Sequence, residues 1–174
     1  FLKTYFPDVF YHRWSKNHLH VIAKMKAAIM RGGRFALAMP RGTGKTSISL
    51  FLSLWAILYG YRKYVVIVGA TDDKAVDIMN KIKTTLETNP KVTADFPEVC
   101  YPVARLERIT QRSKGQLSEG RHTYITWLDD RLVMPTIKGS LASGAIFESV
   151  SITSGNIRGK NHLTAEGGMI RPDF

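Results

Sequence analysis

The sequence has little cysteine, few acidic side chains and no long apolar run. Its 174 residues contain one cysteine, Cys100, which excludes a disulfide framework and a cysteine-based metal site and favours a reducing compartment. The longest apolar stretch, Ile48 to Tyr61, is interrupted by serine and is too short to span a bilayer, and no signal peptide is visible. We therefore expect no membrane partner.

Basic residues outnumber acidic residues in this sequence. The 14 Asp and Glu stand against 25 Lys and Arg, which gives a net charge of +11 and a pI near 9.9. Such an excess suits a polyanionic partner, most simply nucleic acid, and the alternative is a basic solvated surface. With 44% hydrophobic residues the chain can bury one core, so we expect a single domain over residues 1–174.

Local patterns predict alternating helices and strands in the first half. A helix should begin after Ser15 and stop at Gly32-Gly33, with one side formed by Leu19, Ile22, Ala23 and Ile29. "RFALAMP" (34–40) predicts a short buried strand, "KTSISLFLSLWAILYG" (45–60) a buried helix, and "YVVIVGA" (64–70) a central parallel strand. A second amphipathic helix should follow the Thr71 cap and end at Asn89-Pro90.

The second half has a different pattern. Residues 97–120 are polar and predict irregular structure, and three short strand-like runs follow at 122–128, 131–137 and 144–152. Their spacing predicts a hairpin or meander. We therefore expect an α/β fold whose parallel sheet has right-handed crossovers and flanking helices, with the meander added in the second half.

The loop between the first predicted strand and its helix nearly matches the phosphate-binding pattern G-x-x-x-x-G-K-[ST]. Gly42 and Gly44 allow backbone N–H groups to turn inward, Lys45 supplies a positive charge, and the Thr46 hydroxyl can bind Mg²⁺. Met39 stands where the first Gly is expected. The following helix directs its positive end at the anion, so the loop predicts a nucleotide site.

The sequence narrows the class of nucleotide-binding protein. The Asn-Lys pair at Asn80-Lys81 lacks the Asp of the base-reading N-K-x-D element of GTPases, and no D-x-x-G switch follows the loop. Small-molecule kinases are usually less basic. ATP hydrolysis that drives mechanical work on nucleic acid fits the charge better.

Several segments resemble the ATPase domain of the large terminase subunit of tailed bacteriophages. The resemblance covers about Trp14 to Phe174 and includes "MPRGTGKTSISLFLSLWAILYG", "YVVIVGATDDKAVDIM", "FPEV", "TYITWLDDRLVMPTIKGSLASGAIFESVSITSGNIRGKNH" and "GGMIRPDF". It implies an ASCE-type P-loop NTPase domain that hydrolyses ATP to move double-stranded DNA into a procapsid. It also implies a homo-oligomeric ring, a small terminase subunit and a portal protein as partners, a separate C-terminal nuclease domain, and the cytoplasm of an infected bacterial host.

The resemblance also implies roles for individual residues. Lys45 and Thr46 would contact phosphate and Mg²⁺, and Arg41 would sense or stabilise the γ-phosphate. Arg158 would act as an arginine finger on a neighbouring subunit's ATP, or else hold its Gly-rich loop or contact DNA phosphate. The ATP-binding set is then Pro40, Arg41, Gly42, Thr43, Gly44, Lys45 and Thr46, with Trp14 and His18 at the base. Packing of Trp14 and solvent exposure of His18 are the alternatives.

The acidic pair that holds Mg²⁺ in this family is not assigned. Asp129 and Asp130 follow apolar residues, but the alternating pattern around them predicts a hairpin turn, with a Walker B site at this pair as the alternative. The chain starts at Phe1 and ends at the "RPDF" that precedes the acidic strand in the family, so we expect a truncated domain with that strand beyond Phe174. We expect weak or no ATP hydrolysis by this piece alone.

Two alternatives remain from the sequence: a helicase-type translocase on single strands, and a nucleotide-binding assembly module without turnover. The DNA-contact surface also remains open between two candidates. One is the pair Arg62 and Lys63, and the other is the basic run of Arg105, Arg108, Arg112, Lys114 and Arg121.

Overall fold

The computed structural model describes residues 1–153, 159–165 and 167–173. Its α-helices are α1 (Leu2–Tyr5), α2 (Lys16–Arg31), α3 (Lys45–Leu58), α4 (Asp72–Thr88), α5 (Pro90–Asp95) and α6 (Pro97–Ala104), and a 3-10 helix spans Thr110–Ser113. Its strands are β1 (Tyr64–Gly69), β2 (Leu117–Ser118), β3 (Arg121–His122), β4 (Thr126–Trp127), β5 (Arg131–Val133), β6 (Ile146–Ser151), β7 (His162–Leu163) and β8 (Met169–Ile170).

The main sheet is mixed and has the order β1-β6-β5-β4. Strands β4, β5 and β6 form an antiparallel meander, and β6 then pairs in parallel with β1, with Tyr64 opposite Ile146 and Gly69 opposite Ser151. Helices flank this sheet, so the α/β class and the meander in the second half are confirmed. The predicted parallel sheet is wrong, because β1 and β6 pair in parallel whereas β4, β5 and β6 pair antiparallel. Strands β2–β3 and β7–β8 form two separate small sheets.

The predicted ends of α2 and α4 are confirmed. Ser15 accepts a hydrogen bond from the His18 amide at the start of α2, and Gly32, with φ of 77°, follows its last residue. Thr71 caps α4 in the same way. The predicted buried side of α2 is partly wrong, because Leu19 and Ala23 are exposed, and α3 packs on the side formed by Val21, Met25, Ala28 and Ile29.

Three other predictions of local structure are wrong. Strand β1 was predicted to be central, but it lies at the edge of the described sheet, beside β6. Residues 34–40 form no strand and are mostly exposed, because no described segment pairs with them and an extended segment without a partner forms no ladder. Part of the stretch predicted to be irregular is helical: α6 begins with Pro97 at its first position and buries Val99, Cys100 and Val103.

The core lies mainly between one face of the sheet and the helices. Helix α3 buries residues on all sides, including Ile48, Leu54 and Ile57, as its uniformly apolar sequence predicts. A smaller cluster of Tyr64, Val133 and Ile146 lies on the opposite face of the sheet. In the described part of the chain, no helix combines the length and apolar character needed to cross a membrane.

Helices α2 and α3 run in the same direction. At one end His18 of α2 contacts the loop before α3, and at the other Arg62, which follows α3, bonds to the carbonyls of Ala28 and Ile29 in α2. Helix α3 packs against β1 and is joined to it by a short connection, so the two run in opposite directions. The first turns of α2, α3 and α4 therefore lie at the carboxyl edge of β1.

The outer side of β1 faces away from β6. The Lys63 carbonyl accepts from Ile146 of β6, so the backbone groups of Tyr64 point to the other side. There they bond to Asp173. The Tyr64 amide donates to the Asp173 carboxylate at 3.0 Å, and the Asp173 amide donates to the Tyr64 carbonyl at 3.0 Å. Farther along β1, the described residues supply no partner for this side.

Candidate nucleotide-binding site

The loop before α3 has the backbone shape that its glycines predict. Gly42 has φ of 79° and Gly44 has φ of 76°, both in the left-handed region that other residues adopt at a cost. A β-carbon at either position would meet no atom within 4 Å, so their requirement is conformational and not steric. Gly44 is the N-cap of α3, and the first N–H groups of that helix have no intrahelical acceptor.

The Lys45 side chain turns back over this loop. Its ammonium donates to the Met39 carbonyl and, at 2.9 Å, to the Pro40 carbonyl. The Thr43 hydroxyl also donates to the Pro40 carbonyl, at 2.8 Å. Lys45 and Thr43 thus close the loop by hydrogen bonds to its own backbone, and the ammonium lies over the segment that would surround an anion.

His18 joins α2 to the same loop. Its Nε2 lies 3.0 Å from the Thr43 carbonyl, which can only accept, so Nε2 carries a proton. In the neutral ring Nδ1 then accepts from the Ser15 amide at 3.3 Å, and the Ser15 hydroxyl lies 2.7 Å away. His18 therefore contacts the loop through Nε2 and the N-cap of α2 through Nδ1, and it is not free in solvent.

A cleft of about 470 Å³ lies beside the loop, between α2 and residues 35–40. Its walls include His18, His20 and Lys24 from α2 and Pro40 and Thr43 from the loop. No carboxylate is among its lining residues, so the cleft is suited to an anionic or aromatic ligand and not to a cation. A separate cleft of about 670 Å³ lies between residues 5–9 and α4.

The other predicted site residues are in different environments. Arg41 and Thr46 are exposed at the loop, and within the described residues the Arg41 guanidinium makes no ion pair. Trp14 is half-buried and packs against Phe10, with ring centroids 5.2 Å apart, and against His18 at 5.6 Å. Arg158 lies outside the described residues.

Asp129 and Asp130 form the turn between β4 and β5, as predicted. Asp129 is exposed and lies 3.6 Å from the Lys83 ammonium, and the Asp130 carbonyl accepts from the Ser149 amide. At the carboxyl edge of the sheet, Asp72 accepts a hydrogen bond from the Ser151 hydroxyl. Among the described residues, no group of three His, Cys, Asp or Glu side chains is placed to hold a metal ion.

Sequence reasoning missed a buried charged group on the other face of the sheet. Glu148 of β6 is fully buried and accepts from Lys160 at 2.6 Å, from Arg131 at 3.1 Å and from the Tyr64 hydroxyl. Burial alone would raise the pKa of Glu148, but these three hydrogen bonds outweigh it and the pKa is lowered. An acidic residue within the otherwise apolar and hydroxyl-bearing run "AIFESVSI" was the signal for it.

Burial and the neighbouring Arg131 lower the pKa of His162 beside this group. The Glu148 cluster connects the main sheet to residues 160–162 and is a structural feature distinct from the loop.

Comparison with known proteins gives no matching family model, no similar curated protein and no similar solved structure, so the loop and its cleft are interpreted from their own geometry.

Proposed function

We propose that this chain is an ATPase motor domain of the kind found in phage terminase large subunits, which couples ATP hydrolysis to movement of double-stranded DNA. The observation that carries the proposal is the Lys45 ammonium held over a loop with left-handed glycines at 42 and 44, at the first turn of a buried helix. Backbone N–H groups, a helix N-terminus and a lysine together form the standard chemistry of a phosphate site.

The residues present fit the phosphates of ATP. When the triphosphate binds, Lys45 would exchange its two carbonyl acceptors for phosphate oxygens, and Gly42 to Thr46 would supply the amide donors. The exposed Thr46 hydroxyl is available for Mg²⁺, which would offset phosphate charge. Arg41, exposed on the same loop, is the proposed contact to the γ-phosphate.

The cleft between α2 and residues 35–40 is the proposed position of the adenosine. His18 already holds the Thr43 carbonyl, so it would orient the loop, while Trp14 supports the His18 ring from behind. Arg158 remains the proposed arginine finger, acting on a neighbouring subunit in a homo-oligomeric ring, and the small terminase subunit and portal remain proposed partners.

Nucleotide binding is the first test, because it depends directly on Lys45 and the loop. Titration with a fluorescent ATP analogue and Mg²⁺ should show saturable binding. Lys45→Ala should weaken it by about 10- to 100-fold, since a charge-assisted hydrogen bond contributes about 1.5–3 kcal/mol. Lys81→Ala, which removes an exposed lysine of α4, is the matched control and should leave the affinity unchanged. Equal affinities of the Lys45 variant and the wild type would refute the nucleotide site.

Thr46→Ala should bind the analogue with little gain from added Mg²⁺, whereas the wild type should bind more tightly with the metal than without it. Duplex and single-stranded DNA are then compared as stimulators of phosphate release. Stimulation by duplex supports the motor, and stimulation by single strands supports a helicase-type translocase. A nucleotide-binding assembly module would instead lose oligomerisation in Lys45→Ala, with no turnover in the wild type.

A further inference from the structure

The positive charge of the chain is concentrated in its first part. Between Asp8 and Asp72 the sequence contains no Asp or Glu, yet it contains ten Lys and Arg. This stretch carries +10 of the net charge of +11, so the remaining residues are nearly balanced. The fold therefore places almost all of the excess charge on α2, the loop and the segments around them.

The structure separates these cations into those used by the fold and those that are not. The Arg62 guanidinium bonds to two α2 carbonyls, at 2.6 and 3.2 Å, and Lys63 bonds to the carbonyls of Leu141 and Ser143. Lys45 bonds to its own loop. In contrast, seven exposed cations make no side-chain hydrogen bond or ion pair with any described residue. Arg41 is one of them and lies on the loop, and the other six are Arg13, Lys16, Lys24, Lys26, Arg31 and Arg34.

These six residues form what we term the α2 cationic surface. They lie on α2 or within three residues of its ends, and α2 from Lys16 to Arg31 is about 22 Å long at 1.5 Å per residue. Lys16 stands in the first turn, which contains no acidic residue, so its charge meets the positive end of the helix dipole. Within residues 1–153, 159–165 and 167–173 no acidic side chain forms an ion pair with Lys16.

The two candidate DNA surfaces from the sequence are less suitable. The pair Arg62 and Lys63 is engaged by backbone carbonyls. In the run from 105 to 121, Arg108 pairs with Glu87 at 2.8 Å and Arg112 with Glu107 at 2.5 Å. That region therefore offers fewer free cations than α2. It also contains the acidic residue Glu119.

We infer that the α2 cationic surface is where this protein contacts the sugar–phosphate backbone of double-stranded DNA. A duplex carries one charge about every 1.7 Å of its axis, so it can meet unpaired cations spread over the exposed side of a helix without requiring specific partners. A second copy of this chain is a poor occupant, because outside residues 9–71 the charge is nearly balanced. The inference names the partner surface of the proposed motor and rests on that function for the choice of duplex DNA.

The surface also adjoins the loop. His20 and Lys24 line the cleft beside Pro40, whereas Lys16, Lys26 and Arg31 lie outside that cleft. A variant of the latter three therefore tests DNA contact without altering the proposed nucleotide site. Glutamine is the replacement of choice because its helix propensity is close to that of Lys and Arg.

The experiment measures anisotropy of a short labelled duplex with the full chain over a series of salt concentrations. The triple variant Lys16→Gln, Lys26→Gln, Arg31→Gln should bind at least about 10-fold more weakly at low salt. Its slope of log affinity against log salt should fall by up to about 2.7, at about 0.9 for each lost phosphate contact. The matched control removes three other unpaired, exposed cations: Lys114→Gln, Arg121→Gln and Lys138→Gln.

Both triples change the net charge equally, so an equal loss would mean non-specific attraction and would overturn the assignment, as would a larger loss in the control. Binding of anionic vesicles but not of duplex would also overturn it. A second measurement uses the wild type, in case a triple variant fails to fold. Duplex should protect Lys16, Lys24 and Lys26 from acetylation, as read by mass spectrometry, and lack of protection there overturns the inference.

The outcomes distinguish this inference from the proposed function. A chain that binds the ATP analogue but no duplex refutes the α2 assignment and leaves the nucleotide site intact. A chain that binds duplex through α2 but no nucleotide supports the assignment and refutes the proposed ATPase. Preference for single strands at the same residues would overturn duplex as the occupant.

Discussion

Replacing Glu148 by Gln tests the buried charged cluster of β6. The carboxylate has no exposed surface and accepts hydrogen bonds from Tyr64, Arg131 and Lys160. The amide has the same shape, but it leaves the guanidinium and the ammonium without a counter-charge. Removing one partner of a buried ion pair costs about 3–5 kcal/mol of unfolding free energy.

For a domain of this size, about 1 kcal/mol shifts the melting temperature by about 2–4 °C, so Glu148→Gln should melt about 6–20 °C lower. Urea denaturation at pH 7 gives the free energy directly. Glu119→Gln is the control: this residue is exposed at the turn between β2 and β3, and its replacement should change the stability by less than about 0.5 kcal/mol.

The difference in unfolding free energy between the wild type and Glu148→Gln should become smaller as the pH falls into the acid range. The pKa of Glu148 is lowered in the folded chain, whereas an unperturbed Glu titrates at about 4.3. The stabilisation is therefore complete above about pH 4.3 and is lost as the pH falls through the folded-state pKa. A loss below about 1 kcal/mol at neutral pH, or a difference that persists unchanged in acid, would refute the assigned role.

Three further predictions concern other parts of the fold. Gly44→Ala should destabilise the chain by about 1–2 kcal/mol in thermal melts and weaken nucleotide binding, because alanine resists φ of 76°. Burial raises the pKa of the Cys100 thiol to about 11, so iodoacetamide should label it at the rate of unfolding; fast labelling of folded protein would contradict its burial. Arg62→Gln should cost about 1–3 kcal/mol of stability while leaving duplex affinity within twofold.

Much of the local structure followed from short-range signals. Ser15 and Thr71 marked helix starts because their hydroxyls accept from backbone amides in the first turn, and Gly32 marked an end because it adopts a positive φ. The turn at Asp129 and Asp130 was predictable from the alternating pattern on either side. These features depend on a few neighbouring residues and not on the rest of the fold.

The errors arose where distant partners decide the outcome. Residues 34–40 have the apolar composition of a strand, but a strand forms only beside another, and the described sheet provides none there. The buried side of α2 depends on where α3 packs, which selects Val21 and Met25 in place of Leu19 and Ala23. Helix α6 was missed although Pro97 at its first position is a known start signal.

The candidate site was only partly predictable. The positive φ angles of Gly42 and Gly44 were predictable because the phosphate-loop pattern requires glycine at fixed spacing. The bond from His18 to Thr43 joins residues 25 positions apart, and the sequence contains no local signal for it. The Glu148 cluster likewise brings together four separate segments of the chain.

The outer side of β1 has a consequence for how this protein behaves in solution. Asp173 pairs with Tyr64 at the first residue of this edge. Farther along β1, Val66 and Val68 direct their amide and carbonyl groups outward. Such a row is a template for β-augmentation, and its valines offer no charge to repel an incoming strand. A strand that pairs along this side would extend the described sheet beyond β1, and Val68→Lys should weaken such pairing.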